Sequence, residues 1–300
     1  MLEQALNGLQ FGLMLFLLAS GLTLVFGIMD MINLAHGALY MVGAFLTAWL
    51  VQLTQSFLLG VLLAVGLTAV VGMLLEATLL RTLYARDHLS QVLATFALIL
   101  IINESVRMIW GSDLALSAPQ ALSGPVQLIP GLLYPSYRLV IIAVGLAIAL
   151  LLFVLVTKTR MGAWVRAGAS NREMAMAMGV NVRRLFTGVF ALGAALCAIA
   201  GGMLGPLLSV QVGMGESILI LAFVVIVIGG IGSIRGAFLG ALLVGFVDTA
   251  GRTILPMGLS QVLPAQWAAQ AGPAMASILI YVLMAAVLYW KPRGLFPARG

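Results

Sequence analysis

The sequence predicts an all-α fold, a polytopic transmembrane bundle of about eight to ten helices, and three observations carry that prediction. Hydrophobic residues make up 63% of the 300-residue chain and charged residues 8%, with a mean hydropathy of +1.16, far from the makeup of an average soluble domain. Apolar runs near 20 residues recur along the chain, the length of a helical crossing, whereas a barrel would show alternating strands of about 10 residues. The Lys and Arg residues sit at the ends of these runs, so the pI near 10 reads as membrane topology and not as a nucleic-acid surface.

The elements follow in order. Leu9 to Phe26 has no charged residue and is long enough to cross. The N-terminus MLEQALNG lacks a cationic n-region, so this run is expected to be retained as a helix and not cleaved as a signal peptide. In the following stretch, Gly27 to Phe45, Asp30, Asn33 and His36 stand at spacing three, along one helical side or through a connected turn. They are either a packing network or a polar stretch lining a passage. A second span continues to about Leu53, and a third runs from Phe57 to about Leu75, with Glu76 at its end and a short basic loop of Arg81, Arg86 and His88 after it.

The fourth run, Val92 to Trp110, carries Asn103, Glu104 and Arg107 in its second half, and Glu104 and Arg107 are spaced i, i+3 to pair. Residues 111–137 hold Pro119, Pro125, Pro130 and Pro135 with little charge and predict a long external loop. Leu139 to Val156 is the fifth span. Asn181 is placed to cap the sixth, Leu185 to about Leu208, where Gly193, Gly201, Gly202 and Gly205 allow close helix approach. The sole cysteine, Cys197, falls inside this span as a small core residue. In the region from Gly213 to Arg252, Ile218 to Ile228 and Ala237 to Val247 are apolar but only about 11 residues each. With GGIGSIRGA between them they are two spans stretched across flanking glycines or two half-helices of a re-entrant pair. Glu216, just before the first, is an interfacial charge or a passage residue, and Asp248 and Arg252 at i, i+4 form a structural pair. A last span, Ala274 to Trp290, ends in KPRGLFPARG.

The longest polar interruption is residues 157–184, which holds Lys158, Arg160, Arg166, Arg172, Arg183 and Arg184. Ser170 and Glu173 are spaced as a capping box, Asn171 to Met178 is a short helical run, and Gly179 stands where a left-handed C-terminal residue is wanted. So short a helix is marginal in water, so its Met174, Ala175 and Met178 side is expected to dock, on the membrane surface or on a protein partner.

With nine crossings and the N-terminus outside, twelve basic residues lie inside: Arg81, Arg86, Lys158, Arg160, Arg166, Arg172, Arg183, Arg184, Arg235, Lys291, Arg293 and Arg299. Three, Arg107, Arg138 and Arg252, lie outside, which puts the 157–184 stretch and the C-terminus in the cytoplasm. A chain-borne ATPase is excluded by its lysines. Lys158 follows Thr157 and Lys291 follows Trp290, and neither completes a Gly-Lys-Ser/Thr P-loop. The only histidines, His36 and His88, make no HExxH motif and no serine-hydrolase site, so the chain reads as no enzyme. GIMDMINLAHGA recurs in outline as GGIGSIRGAFLGALLVGF, as in a two-fold repeated core with interrupted helices.

Spread over most of the chain, GLTLVFGIMDMINLAHGALYMVGAF, GASNREMAMAMGVN and VIGGIGSIRGAFLGALLVG resemble the permease subunits of branched-chain amino acid ABC importers. In the second, Glu173, Ala175, Ala177 and Gly179 stand where the family's EAA-type loop has its acidic, small and glycine residues. The resemblance implies one permease domain over 1–300 in a bacterial inner membrane. The loop at 157–184 would dock the ATPases through Ser170, Glu173, Ala175, Ala177, Met178 and Gly179, and Asp30, Asn33, His36 and Glu216 are the candidates for the passage. It also implies partners: a sister permease, two cytoplasmic ATP-binding subunits that consume the ATP, and an external substrate-binding protein, with no cofactor or metal of its own and no nucleic acid. Transport would run by alternating access. Similar permeases serve urea, short amides and other small solutes, and the rival class is a stand-alone ion-coupled transporter using Asp30, His36, Glu104 or Glu216.

Overall fold

The computed structural model describes residues 2–31, 33–261 and 264–296. It is a polytopic helical bundle of α1 (Leu2–Met29), α2 (His36–Thr54), α3 (Phe57–Leu83), α4 (His88–Trp110), α5 (Ser136–Lys158), α6 (Arg160–Ser170), α7 (Arg172–Ala177), α8 (Val182–Leu208), α9 (Met214–Gly229), α10 (Ile234–Leu259) and α11 (Ala265–Trp290). Among the described residues 8 helices are long and apolar enough to cross a membrane, and α9 is the shorter apolar one.

α1 is apolar on every side and buried along most of its length, as suits a central helix. It packs antiparallel to α10: Gly8 meets Gly245 and Phe246, Gly12 meets Ala241, and the Phe16 and Phe238 rings stand edge to face at 5.2 Å. α8 packs on another side of it, Gly193 against Gly21, and α2 packs on α8, Gly43 against Ala198, whereas α3, α4, α5 and α11 expose rows of apolar residues, the composition of a lipid-facing shell.

The two glycine-rich breaks lie against each other, Gly27 on Gly232. They differ in depth. After Met29 the chain turns back, so that His36, the first residue of α2, reaches Gly21 of α1. Gly21 precedes the end of α1 by eight residues, or about 12 Å of helix, so α2 starts inside the bundle. There it meets the first turn of α9, backbone to backbone, at Gly37 and Gly215. The 16 residues of α9 span only about 24 Å, less than a full hydrocarbon crossing, whereas the 26 residues of α10 make a complete one. Neither alternative expected for this region forms as stated: the first run is a half-helix and the second a full span, because the second extends on through Leu259 while the first stops at Gly229.

The bundle has two distinct ends. At one, the ends of α1, α3 and α9, the helices α6 and α7, and the start of α8 gather with most of the basic residues. Here Leu295 and Phe296 donate N–H groups to Ile228 and Gly229 carbonyls, which holds the C-terminal segment to the turn after α9. At the other, residues 111–137 are more structured than a loop. β1 (Asp113–Leu114) pairs antiparallel with β4 (Val210–Gln211), and β2 (Pro125–Ile129) forms a hairpin with β3 (Leu132–Pro135). Tyr134 and Arg138 both donate to Asn7 Oδ1, at 3.0 and 2.5 Å, and pin the hairpin over the start of α1.

Candidate coupling site

The polar stretch builds two short helices. Thr159 caps α6 by accepting the Gly162 N–H at 3.2 Å, and Gly162 lets α6 turn back tightly over the last carbonyls of α5. Gly162, Val165 and Gly168 form its buried side at spacing three, leaving Met161 and Trp164 exposed. Because that buried stripe carries the helix through Ser170, the expected Ser170–Glu173 capping box does not form. Asn171, extended at φ −155°, caps α7 by accepting the Met174 N–H at 2.9 Å. Glu173 lies in the first turn, where a negative charge complements the helix dipole. At the other end Gly179 takes φ +87°, its N–H bonding Met176 O at 2.9 Å while Val180 N–H reaches Ala175 O at 3.0 Å, a Schellman closure.

The expected docking side divides. Ala175 alone turns into the bundle, whereas Met174, Met176 and Met178 are 62%, 54% and 80% exposed, and Ser170, Glu173, Ala177 and Gly179 also face out. Two shallow cavities flank this surface. One of about 420 Å³ is lined by Met161, Trp164, Met178, Arg184 and Leu185, and one of about 470 Å³ by Trp164, Ala167, Asn171, Met174 and Met178. Removing the cap with Asn171→Ala is expected to weaken α7 by about 1 kcal/mol, read as several-fold faster amide hydrogen exchange at Met174 to Ala177 with the spanning helices unchanged.

A side-chain chain ties α7 to three spanning helices. The Arg172 guanidinium donates to Ile28 O through Nη2 at 2.9 Å and Nε at 3.2 Å, and lies 5.3 Å from the centre of the Phe186 ring. Phe186 packs edge to face on Tyr84 at 5.5 Å, and the Tyr84 hydroxyl donates to Glu76 Oε1 at 2.8 Å. Glu76 is buried and also receives Arg81 at 3.0 and 3.3 Å and the Thr187 hydroxyl at 2.6 Å. Burial, then the Glu76 carboxylate, push the Tyr84 hydroxyl above its ordinary pKa, so it stays a donor. From sequence alone Glu76 marks only the end of a span. Its signal was an Arg five residues on, the spacing a π turn brings together, and Glu76–Leu80 is a π turn.

The polar candidates of the spans separate into two places. Asp30, at φ +50°, is exposed, while Asn33 and His36 are fully buried in the connected turn and the start of α2. Asn33 Oδ1 accepts the Ala35 N–H at 3.1 Å, and His36 Nε2 lies 3.1 Å from the buried Cys197 thiol. Glu216 is elsewhere, exposed in the first turn of α9 and accepting from Asn103 Nδ2 of α4 at 2.9 Å. Beside Asn103, Glu104 pairs with Arg107 at 2.8 Å, both well exposed. Asp248, nearly buried, takes Arg252 Nε on both oxygens at 2.9 Å. Among the described residues no group of three or more His, Cys, Asp or Glu is placed to hold a metal ion.

The family model described as "Branched-chain amino acid transport system / permease component" matches residues 4–288. This chain belongs to that permease family. It is 27% identical to the high-affinity branched-chain amino acid transport system permease protein BraD of Pseudomonas aeruginosa, over 98% of this chain and 95% of that protein. To the high-affinity branched-chain amino acid transport system permease protein LivH of Escherichia coli K12 it is 30% identical, over 85% of this chain and 87% of that one. A narrower likeness, 36% over 35% of the chain, joins it to the fructose import permease protein FrcC of Rhizobium meliloti. No solved structure matches the chain.

Proposed function

We propose that this permease is the membrane subunit of an ATP-driven importer of branched-chain amino acids in a bacterial inner membrane. It works by alternating access, with a sister permease, two cytoplasmic ATP-binding subunits that consume the ATP, and an external substrate-binding protein. The observation that carries the reading is the near full-length likeness to BraD, a protein named for that transport. The exposed face of α7 supports it, because a six-residue helix that presents three methionines outward is built for an adaptable protein contact.

The basic end is assigned to the cytoplasm by the excess of Lys and Arg there, which puts the C-terminus inside; of the residues in that count, Arg299 lies outside the described ones. Burial supports dividing the passage candidates. Asn33 and His36 act as a packing network, while Glu216 and Asn103 lie on an exposed face of the bundle about 10 Å below Trp110. A charge facing lipid at depth costs ~2.5–3.5 kcal/mol, so this face meets water or the sister permease. Glu216→Gln is expected to lower maximal uptake about tenfold at unchanged protein level, measured with radiolabelled leucine in proteoliposomes.

The test of the function is uptake by proteoliposomes holding the whole complex, with ATP inside, against liposomes holding this chain alone. Leucine uptake that needs both ATP and the ATPases supports the proposal. Uptake by the isolated chain on an ion gradient, or competition by urea or fructose and not by valine, overturns it.

A further inference from the structure

Three side chains converge on the buried carboxylate of Glu76, whose own side chain is 1% exposed. Arg81 and Tyr84 come from the end of α3 and the turn after it, Thr187 from the base of α8, and Tyr84 leans on Phe186, the neighbour of Thr187. Arg172, the first residue of α7, covers the same Phe186 ring and is bonded to the last turn of α1. Anchoring the end of a helix needs no buried charge, since an apolar residue of similar volume does so without desolvating a carboxylate. What the carboxylate adds is direction. Its two oxygens accept from fixed positions on two different spanning helices, and a π turn is kept in α3 to aim it and Arg81 there.

We propose that Glu76 is a positioning residue for coupling: it locks the end of α3 to the base of α8, so that a displacement of α7 moves the ends of α1, α3 and α8 as one body. This rests on the reading of α7 as the surface the ATPases push. Glu76 touches neither cargo nor nucleotide; it acts through Thr187, Tyr84 and, across Phe186, Arg172. Without it, α7 can shift while α3 stays behind, and ATP is hydrolysed with less transport.

The experiment measures leucine taken up per ATP hydrolysed by the whole reconstituted complex, together with its thermal unfolding midpoint. Glu76→Gln is expected to lower the ratio roughly tenfold while the ATPase rate stays within about twofold, since the amide loses the ion pair with Arg81 and offers Thr187 and Tyr84 a single uncharged acceptor oxygen. The double variant Glu76→Gln with Arg81→Gln, which leaves no unpaired cation, is expected to regain stability and keep the low ratio. Tyr84→Phe, which keeps the ring stack and loses one hydrogen bond, gives a smaller fall and serves if Glu76→Gln does not assemble. A wild-type ratio in all variants that assemble, or a ratio recovering together with the unfolding midpoint, overturns the proposal and leaves only a structural role. A wild-type complex that shows no ATP-driven uptake overturns the functional reading and this inference with it.

Discussion

Gly215→Ala is expected to destabilise the bundle more than alanine at any other described glycine. Its Cβ would lie 2.0 Å from the Gly37 carbonyl oxygen and 2.6 Å from the Gly37 carbonyl carbon, the tightest approach among the described glycines. Backbone cannot swing aside as a side chain does, so the first turns of α2 and α9 must separate. Both belong to the packed interior around α1, and forcing added volume into such a core costs about 1–3 kcal/mol, with this site at the upper end. The measurement is the unfolding midpoint in detergent, with the yield of monodisperse protein beside it. Gly66→Ala is the matched control. Gly66 sits inside α3 with nothing within 4 Å of its added methyl, and there alanine is expected to be neutral or stabilising by about 0.5–1 kcal/mol. Equal midpoints for the two variants would show that the α2–α9 junction is loose.

That junction marks the boundary of what the sequence reveals. The spans are legible because length and hydropathy decide them: α4, α5 and α8 form within four residues of their apolar runs, and α1 contains its run and starts seven residues earlier. The break at Asp30 is legible too, from polar residues between two apolar runs. The depth at which α2 restarts is not, since it is set by glycines from α8 and α9 distant in sequence. α6 escapes sequence reading for a related reason. Its buried side is Gly162, Val165 and Gly168, too small and too sparse to register as an apolar stripe, and its presence moves the N-cap of α7 from Ser170 to Asn171. The C-terminal signal of α7, by contrast, is local and survives: Gly179 requires only its own backbone geometry.

That geometry makes Gly179→Pro the substitution with the largest expected effect on transport. Proline holds φ near −65° where the chain needs +87°, and it removes the N–H that bonds Met176 O at 2.9 Å. The closing turn of α7 is lost, and with it the Val180 bond to Ala175 O, two residues before Asn181 caps α8. ATP-driven leucine uptake is expected to fall at least about a hundredfold, because the surface proposed to dock the ATPases loses its shape. Insertion is expected to be normal, since nothing lies within 4 Å of a side chain at this position and the spanning helices do not depend on it. The series Gly179→Asn, Gly179→Ala and Gly179→Pro separates torsion from bulk. Asparagine tolerates the left-handed region and keeps most activity, alanine opposes it by about 1 kcal/mol and loses part, and proline cannot enter it. Activity falling in that order, at equal protein levels in the membrane, ties coupling to the left-handed turn; equal uptake by all three would mean that α7 transmits nothing.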